Sequence, residues 1–113
     1  MIFLTVWRRK EEMPASNSFY LSVQAENDIE SLFENTFDRI GLGSAEGVVL
    51  NLSIAFRRLA ENSASAEDCS HIAEGLRSHV VDSQIVYFRH EDDGVNILRV
   101  LDRSLHQPQR VSH

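Results

Sequence analysis

Apolar and polar residues recur with two different periods along this chain, and the change of period marks its structural elements. The first period is helical, with apolar side chains three or four residues apart, which makes one stripe of an α-helix. The first stripe consists of Ile29, Leu32, Phe33, Phe37 and Ile40. The second consists of Val48, Val49, Leu52, Phe56, Leu59 and Ala60. Two helices joined by a few residues predict an antiparallel helical hairpin.

The ends of these helices carry recognisable signals. Gly41 and Gly43 follow the first stripe, and Gly41 is the predicted left-handed C-cap. Ser44 is the predicted N-cap of the second helix. The acidic residues Glu26, Asp28 and Glu30 lie in the first turns of the first predicted helix, where they favour the positive end of the helix dipole.

The last third of the chain is rich in β-branched and aromatic residues, which predicts strands. Residues 84–89 and 95–101 are two such runs, and residues 74–80 can pair with the first of them, with turns at Asp82-Ser83 and Asp93-Gly94. They predict a three-stranded antiparallel meander. Residues 19–23 predict a first strand, and residues 62–70 predict a loop.

Together these elements predict an α+β fold: an N-terminal strand, then an antiparallel helical hairpin packed on one face of a mostly antiparallel sheet. Residues 19–113 are expected to form this domain. Residues 1–18, polar and proline-containing after residue 10, are expected to be an N-terminal extension or a mis-annotated start. In the second case the chain would begin at Met13.

The distribution of charged residues along the chain bears on whether the protein binds nucleic acid. The net charge is −6, yet residues 24–74 hold ten acidic residues against three arginines, whereas residues 75–113 hold five of each sign. The single lysine, Lys10, lies outside the predicted domain. A protein that binds nucleic acid through its phosphates needs a basic face, so direct nucleic-acid binding is not expected.

The N-terminal residues do not resemble a secretory signal. The apolar residues 1–7 precede Arg8-Arg9-Lys10, which is the reverse of the order in such a signal, and no apolar run reaches the ~20 residues of a membrane span. A cytoplasmic location is expected, and one cysteine agrees with it.

Two kinds of candidate site follow from the residue types. Cys69 and five scattered histidines do not match the spacing of a zinc site, so neither a metal nor a cofactor is expected. One arginine lies on each predicted strand of the meander, at Arg77, Arg89 and Arg99. On the sheet face left uncovered by the helices they would suit carboxylates or phosphates. The alternative is that they are solvated arginines of an open sheet face.

Three segments carry a family resemblance: "LAEN" at residues 59–62, "EGLRS" at 74–78 and "IVYFRHEDDGVNILRVL" at 85–101. In order and spacing they resemble the ParE toxins of the ParE/RelE toxin–antitoxin superfamily, over residues 19–106. The resemblance implies a non-enzymatic bacterial toxin that inhibits DNA gyrase and is neutralised by a ParD-like antitoxin. Because antitoxin tails in such pairs are expected to be acidic, Arg77, Arg89 and Arg99, cations on an otherwise acidic protein, are the expected antitoxin contacts.

Two alternatives remain. RelE-like relatives are ribosome-dependent mRNA endoribonucleases, and the residues able to supply comparable chemistry here are Arg77, Tyr87, Arg99, Arg103 and His106. The chain also departs from the ParE pattern by carrying Asp102 and His106 where the family commonly has histidine and then aspartate. A degenerate, non-toxic binding domain therefore stands as a third reading.

Overall fold

A helical hairpin covers one face of a five-stranded sheet in a computed structural model that describes residues 18–62, 66–91 and 94–104. The elements are β1 (Ser18–Leu21), α1 (Val23–Ile40), α2 (Leu42–Glu61), β2 (Glu67–Asp68), β3 (Arg77–Val81), β4 (Gln84–Glu91) and β5 (Gly94–Asp102). The strand order is β1-β5-β4-β3-β2, with β1 parallel to β5 and the other pairs antiparallel. The predicted α+β class is confirmed.

The predicted meander is present as β3, β4 and β5. Val81 pairs with Gln84 across a two-residue turn in which Asp82 has φ 55°. Such a positive φ suits the short polar side chain of aspartate in a tight hairpin. The loop predicted over residues 62–70 is wrong in part, because it contains β2, which pairs with β3. Two residues are too short a strand for an alternating pattern to reveal.

The chain reverses between the two helices at a single glycine. Gly41, with φ 97°, donates its N–H to the Phe37 carbonyl and accepts from Ala45 N–H. It therefore ends α1 and begins α2 at once. The prediction that Ser44 caps the second helix is wrong, because α2 already starts at Leu42. The predicted Gly41 terminus of α1 is confirmed.

Two side chains, the N-cap residue of α1 and one residue within that helix, form hydrogen bonds to the part of β5 that β1 does not reach. β1 pairs only as far as Ile97. Beyond that point the Ser22 hydroxyl donates to the Leu98 carbonyl at 2.9 Å, and the Asp28 carboxylate accepts from Val100 N–H at 2.9 Å. We call Ser22 and Asp28 the β5 clasp. It satisfies backbone groups that an open edge would leave available to another strand.

The main core lies between the hairpin and the sheet. Its most completely buried large side chains include Ile29, Leu52, Phe56, Phe88 and Ile97. The first helical stripe is partly wrong, because Phe37 is 47% exposed and Ile40 is 62% exposed. The buried residues of α1 are Ala25, Ile29 and Thr36, on one side of the apolar stripe. Helical periodicity identifies the apolar stripe, but it does not show which side of the stripe packs against the sheet.

A smaller apolar cluster lies on the opposite face of the sheet, which was expected to be open. It comprises Cys69, Leu76, Ile85 and Tyr87. The turn from Cys69 to Leu76 folds over the sheet and is fixed by the Cys69 N–H bond to the Leu76 carbonyl at 2.8 Å. This face is therefore half-covered by a loop, and what remains is a depression beside it.

Candidate functional site

A shallow depression of about 380 Å³ lies on the sheet face that the helices leave uncovered. It is lined by Ile72, Ala73, Leu76, Tyr87, Arg89, Leu98, Arg99 and Leu101. Apolar side chains form most of this surface, and two guanidinium groups stand in it. An apolar floor with charged groups at defined places is a typical arrangement for binding a polypeptide. We call this surface the sheet depression.

Arg89 is held in the depression by the covering turn. Its Nε donates to the Glu74 carbonyl at 3.0 Å, and the side chain is half-buried on β4. The neighbouring Gly75 has φ 74°, a left-handed conformation that favours glycine. A Cβ added there would lie 3.9 Å from the Arg89 Cδ and Nε. The turn and Arg89 therefore position one another.

Arg99 reaches the depression from β5 and is anchored by the β5 clasp. Its Nε and Nη2 donate to the two oxygens of Asp28 at 2.8 and 3.0 Å. This bidentate bond raises the pKa of Arg99. The pair is partly solvated, since the Arg99 side chain is 41% exposed and that of Asp28 is 14% exposed. Arg99 is thus a fixed cation with a solvent-facing edge.

Arg77 lies on the other face of the sheet, contrary to the expectation that all three arginines share the uncovered face. It pairs with Phe88, whose side chain belongs to the helix-covered core. Residues directly opposite in an antiparallel pair point to the same side. Its Nη2 donates to the Ala66 carbonyl at 3.3 Å. The expected arginine cluster is therefore split between two faces.

The residues considered for ribonuclease chemistry do not form one group among those described. Tyr87 and Arg99 line the sheet depression, while Arg77 lies on the opposite face. Arg103 lies at the end of β5, where its N–H donates to the Ser83 carbonyl, and it lines a different cleft. Burial raises the pKa of Tyr87, which disfavours its phenolate. His106 lies outside the described residues.

Two features of the depression were missed from the sequence. The first is the contact between Asp28 and Arg99. The two residues are far apart along the chain, and the sequence indicated only that Asp28 is an acidic residue near the start of a helix. Ile72 and Ala73 were assigned to no predicted element, although they line the depression. The apolar character of the segment after Cys69 was the available signal for the second.

Neither a metal centre nor a membrane-spanning helix is found in the part of the chain that the structure describes. No group of three or more histidine, cysteine, aspartate or glutamate side chains there is placed to hold a metal ion. No helix in these ranges is long and apolar enough to cross a bilayer.

Comparison with known proteins decides the family. The family described as ParE toxin of type II toxin-antitoxin system, parDE, matches residues 19–105, most of the chain. The chain belongs to the ParE toxin family. This confirms the resemblance seen in the sequence motifs, and it places the chain among toxins of type II toxin–antitoxin systems.

Individual ParE relatives agree with this assignment. "Toxin ParE1" of Mycobacterium tuberculosis, strain CDC 1551 / Oshkosh, is 29% identical over 91 residues, covering 80% of this chain and 93% of that protein. The protein of the same name from strain ATCC 25618 / H37Rv matches with the same identity and coverage. A solved structure titled "Chromosomal ParDE TA system from P. aeruginosa" has the same fold, with a TM-score of 0.65 and 17% identity. The match covers 75% of this chain and 94% of that one.

Proposed function

We propose that this ParE family toxin inhibits DNA gyrase and is neutralised by a ParD-like antitoxin. The family match over residues 19–105 is the observation that carries the proposal. Both partners imply action in the cytoplasm. We infer that the toxin acts by binding and not by catalysis. In the described part of the chain, the residues that could serve RNA cleavage lie on separate surfaces, which supports this inference.

The target is tested by separating two activities in purified form. Freshly refolded toxin should block supercoiling by gyrase and leave ribosome-bound mRNA intact. The addition of antitoxin at equal concentration should restore supercoiling. A preparation that cleaves mRNA, loses cleavage on His106→Ala substitution, and leaves supercoiling untouched would overturn the proposal in favour of a ribonuclease. A chain that does neither would be the degenerate binding domain.

The sheet depression is the proposed polar anchor for the antitoxin. Arg89 and Arg99 offer donors to carboxylates, while Leu98 and Leu101 offer apolar contact beside them. Antitoxin tails in such pairs are expected to be acidic, and these arginines are cations on a protein with net charge −6. Truncation of one partner of a partly desolvated charged pair commonly costs ~2–5 kcal/mol, against ~0–1 kcal/mol for an exposed pair. The loss of binding free energy on truncation of one of these arginines is therefore large enough to measure if the antitoxin contacts it.

Calorimetry with single variants locates the contact. We expect Arg89→Ala and Arg99→Ala each to weaken antitoxin binding at least about tenfold, which corresponds to ~1.4 kcal/mol. Arg57→Ala, an exposed arginine of α2, is the matched control and should bind as the unmodified toxin does. Arg77→Ala distinguishes the two faces, since a loss confined to that variant would move the antitoxin to the helix-covered side. Equal binding by all variants would mean that apolar contacts alone hold the antitoxin.

A further inference from the structure

The outer edge of β3 is only partly covered by another strand. β2 pairs with the first two residues of β3, and no described strand pairs with residues 79–81 on that side. In an antiparallel pair of strands, only alternate residues form hydrogen bonds to a given neighbour. Val81 and His79 are the residues that bond to β4, because Val81 closes the two-residue turn, so the N–H and C=O of Val80 point outward. We call residues 79–81 the open edge.

A groove of about 630 Å³ runs along the open edge, between β3 and α2, and its two ends carry opposite charges. Asp82 lies at the turn end, where it accepts a hydrogen bond from the Asn51 side chain at 3.2 Å. Arg58 is about two helical turns further along α2 and lines the same groove toward its other end. Both charged side chains are exposed. The groove is therefore negative at one end and positive at the other.

Apolar side chains at the open edge are accessible to a partner. Val80 is 45% exposed, and Ile54 on the groove wall is 37% exposed. Sheet proteins commonly protect such an edge from pairing with another chain by placing lysine or proline on it. Residues 77–83 contain neither. The open edge is thus suited to pairing with another strand.

The shortness of the open edge favours a second copy of this chain over an extended peptide. A long added strand needs outward main-chain groups at several successive positions, but those before Val80 already face β2. A peptide would gain one pair of main-chain hydrogen bonds and few other contacts. A two-fold axis through the edge makes every side-chain contact twice. It also brings the Arg58 end of one groove to the Asp82 end of the other, so opposite charges meet at both ends.

We propose that two copies of this chain associate through their open edges. β3 of one copy pairs antiparallel with β3 of the second copy about a two-fold axis at Val80, and each Val80 N–H donates to the Val80 carbonyl opposite it. The two Val80 side chains lie side by side, and Arg58 faces Asp82 at each end of the shared groove. This association goes beyond the proposed gyrase inhibition and does not depend on it.

Sedimentation equilibrium of the full-length toxin tests the association through substitutions at Val80. The unmodified chain should show a monomer–dimer equilibrium that shifts to dimer as concentration rises, as a small interface requires. Val80→Lys and Val80→Glu should each be monomeric over the same range, because like charges then lie directly opposite each other. Their equimolar mixture should dimerise again, since lysine then faces glutamate. Val23→Lys, at an exposed position of α1 away from the open edge, should dimerise as the unmodified chain does.

The rescue by mixing is specific to an edge that pairs with itself at Val80. An unmodified chain that is monomeric at every concentration would overturn the proposal, as would Val80→Lys dimers as stable as the unmodified ones. If each variant is monomeric and their mixture is monomeric too, Val80 does not lie opposite itself, which also overturns it. Melting temperatures equal to that of the unmodified chain show that both variants are folded.

The orientation of the two copies is tested by the charged residues, without any change to β3. Arg58→Gln and Asp82→Asn each remove one charge, and asparagine tolerates the left-handed conformation that Asp82 adopts at φ 55°. Each should weaken dimerisation several-fold at low salt, and the double variant should lose no more than either single one, because the same ion pair is removed. Arg57→Gln, at the neighbouring exposed arginine of α2, is the matched control and should dimerise normally. Additive losses, or no loss, would overturn the antiparallel arrangement.

Antitoxin titration separates self-association from another use of the same edge. Val80→Lys should bind antitoxin and inhibit gyrase as the unmodified chain does, because neither proposed activity rests on the open edge. If Val80→Lys dimerises normally but binds antitoxin more weakly, the open edge belongs to the antitoxin and the proposal is overturned. Failure of the unmodified chain to inhibit gyrase is read separately, in the supercoiling assay, and concerns the proposed function alone.

Discussion

Substitution of Asp28 is the most direct test of how the helical hairpin is attached to the sheet, because its carboxylate accepts hydrogen bonds from three donors. Its two oxygens accept from Arg99 Nε and Nη2 and from Val100 N–H, at 2.8, 3.0 and 2.9 Å. Val100 is 4% exposed, so its amide has little access to water once Asp28 is removed. The Asp28→Ala variant therefore separates the value of the backbone contact from that of the ion pair.

The magnitude follows from the exposure of each partner. An amide left buried and unpaired costs ~1–3 kcal/mol. The half-exposed ion pair with Arg99 adds ~0–1 kcal/mol. Asp28→Ala should thus lower the free energy of unfolding by ~1–4 kcal/mol, out of a total of ~5–15 kcal/mol. Asp28→Asn keeps an acceptor for Val100 and should cost less. Arg99→Met, which removes only the ion pair, should cost the least.

Urea unfolding of the three variants and of the double variant Asp28→Ala/Arg99→Met measures these differences. The denaturant slope should stay constant, because the folded surface is unchanged. If Arg99→Met costs as much as Asp28→Ala, the ion pair rather than the backbone contact fastens the hairpin, and the reasoning is refuted. If neither Asp28→Ala nor Arg99→Met changes the free energy of unfolding, Asp28 does not fasten the hairpin to the sheet.

Three further predictions concern the core, a tyrosine and the N-terminal segment. Phe56→Ala, at a fully buried position, should cost ~3–5 kcal/mol in urea unfolding, whereas Phe37→Ala, at an exposed one, should cost much less. Equal costs would contradict the described core. Because the pKa of Tyr87 is raised above 10.0, its contribution is complete below that pH and is lost as pH rises through the folded-state value. Stability should therefore fall more steeply at alkaline pH in the unmodified chain than in Tyr87→Phe. A chain beginning at Met13 should match the full chain in melting temperature and antitoxin affinity, and a clear drop in either would show that residues 1–12 contribute to the fold or the interface.

The sequence was sufficient for the elements whose pattern is local. The Asp82-Ser83 turn of the meander and the glycine that ends α1 depend on the conformations allowed to a few neighbouring residues, so they were predictable. Asp93 of the other predicted turn lies outside the described residues. Helical period located α2 and its buried residues Leu52, Phe56 and Leu59. These features need no knowledge of which element lies against which.

The errors share a different physical origin, in contacts between distant parts of the chain. The exposure of Phe37 depends on how α1 lies across the sheet, which periodicity does not contain. The face of Arg77 depends on strand register, and a shift of one residue reverses every side chain. The link from Asp28 to Arg99 spans 71 residues and has no local signature. The residue types of the site could therefore be predicted from the sequence, but which of those residues lie together in the fold could not.

The parallel pair of β1 and β5 has a consequence for the order in which the fold assembles. Its register joins Ser18 to Gly94, whereas the meander and the helical hairpin are built from neighbours in the chain. Closing so long a loop is entropically costly and slows folding relative to local contacts. We therefore expect the meander and the hairpin to form early and β1 to dock last, together with the clasp that follows it. The first strand in sequence is then the last in time, and local opening of the native protein should begin there.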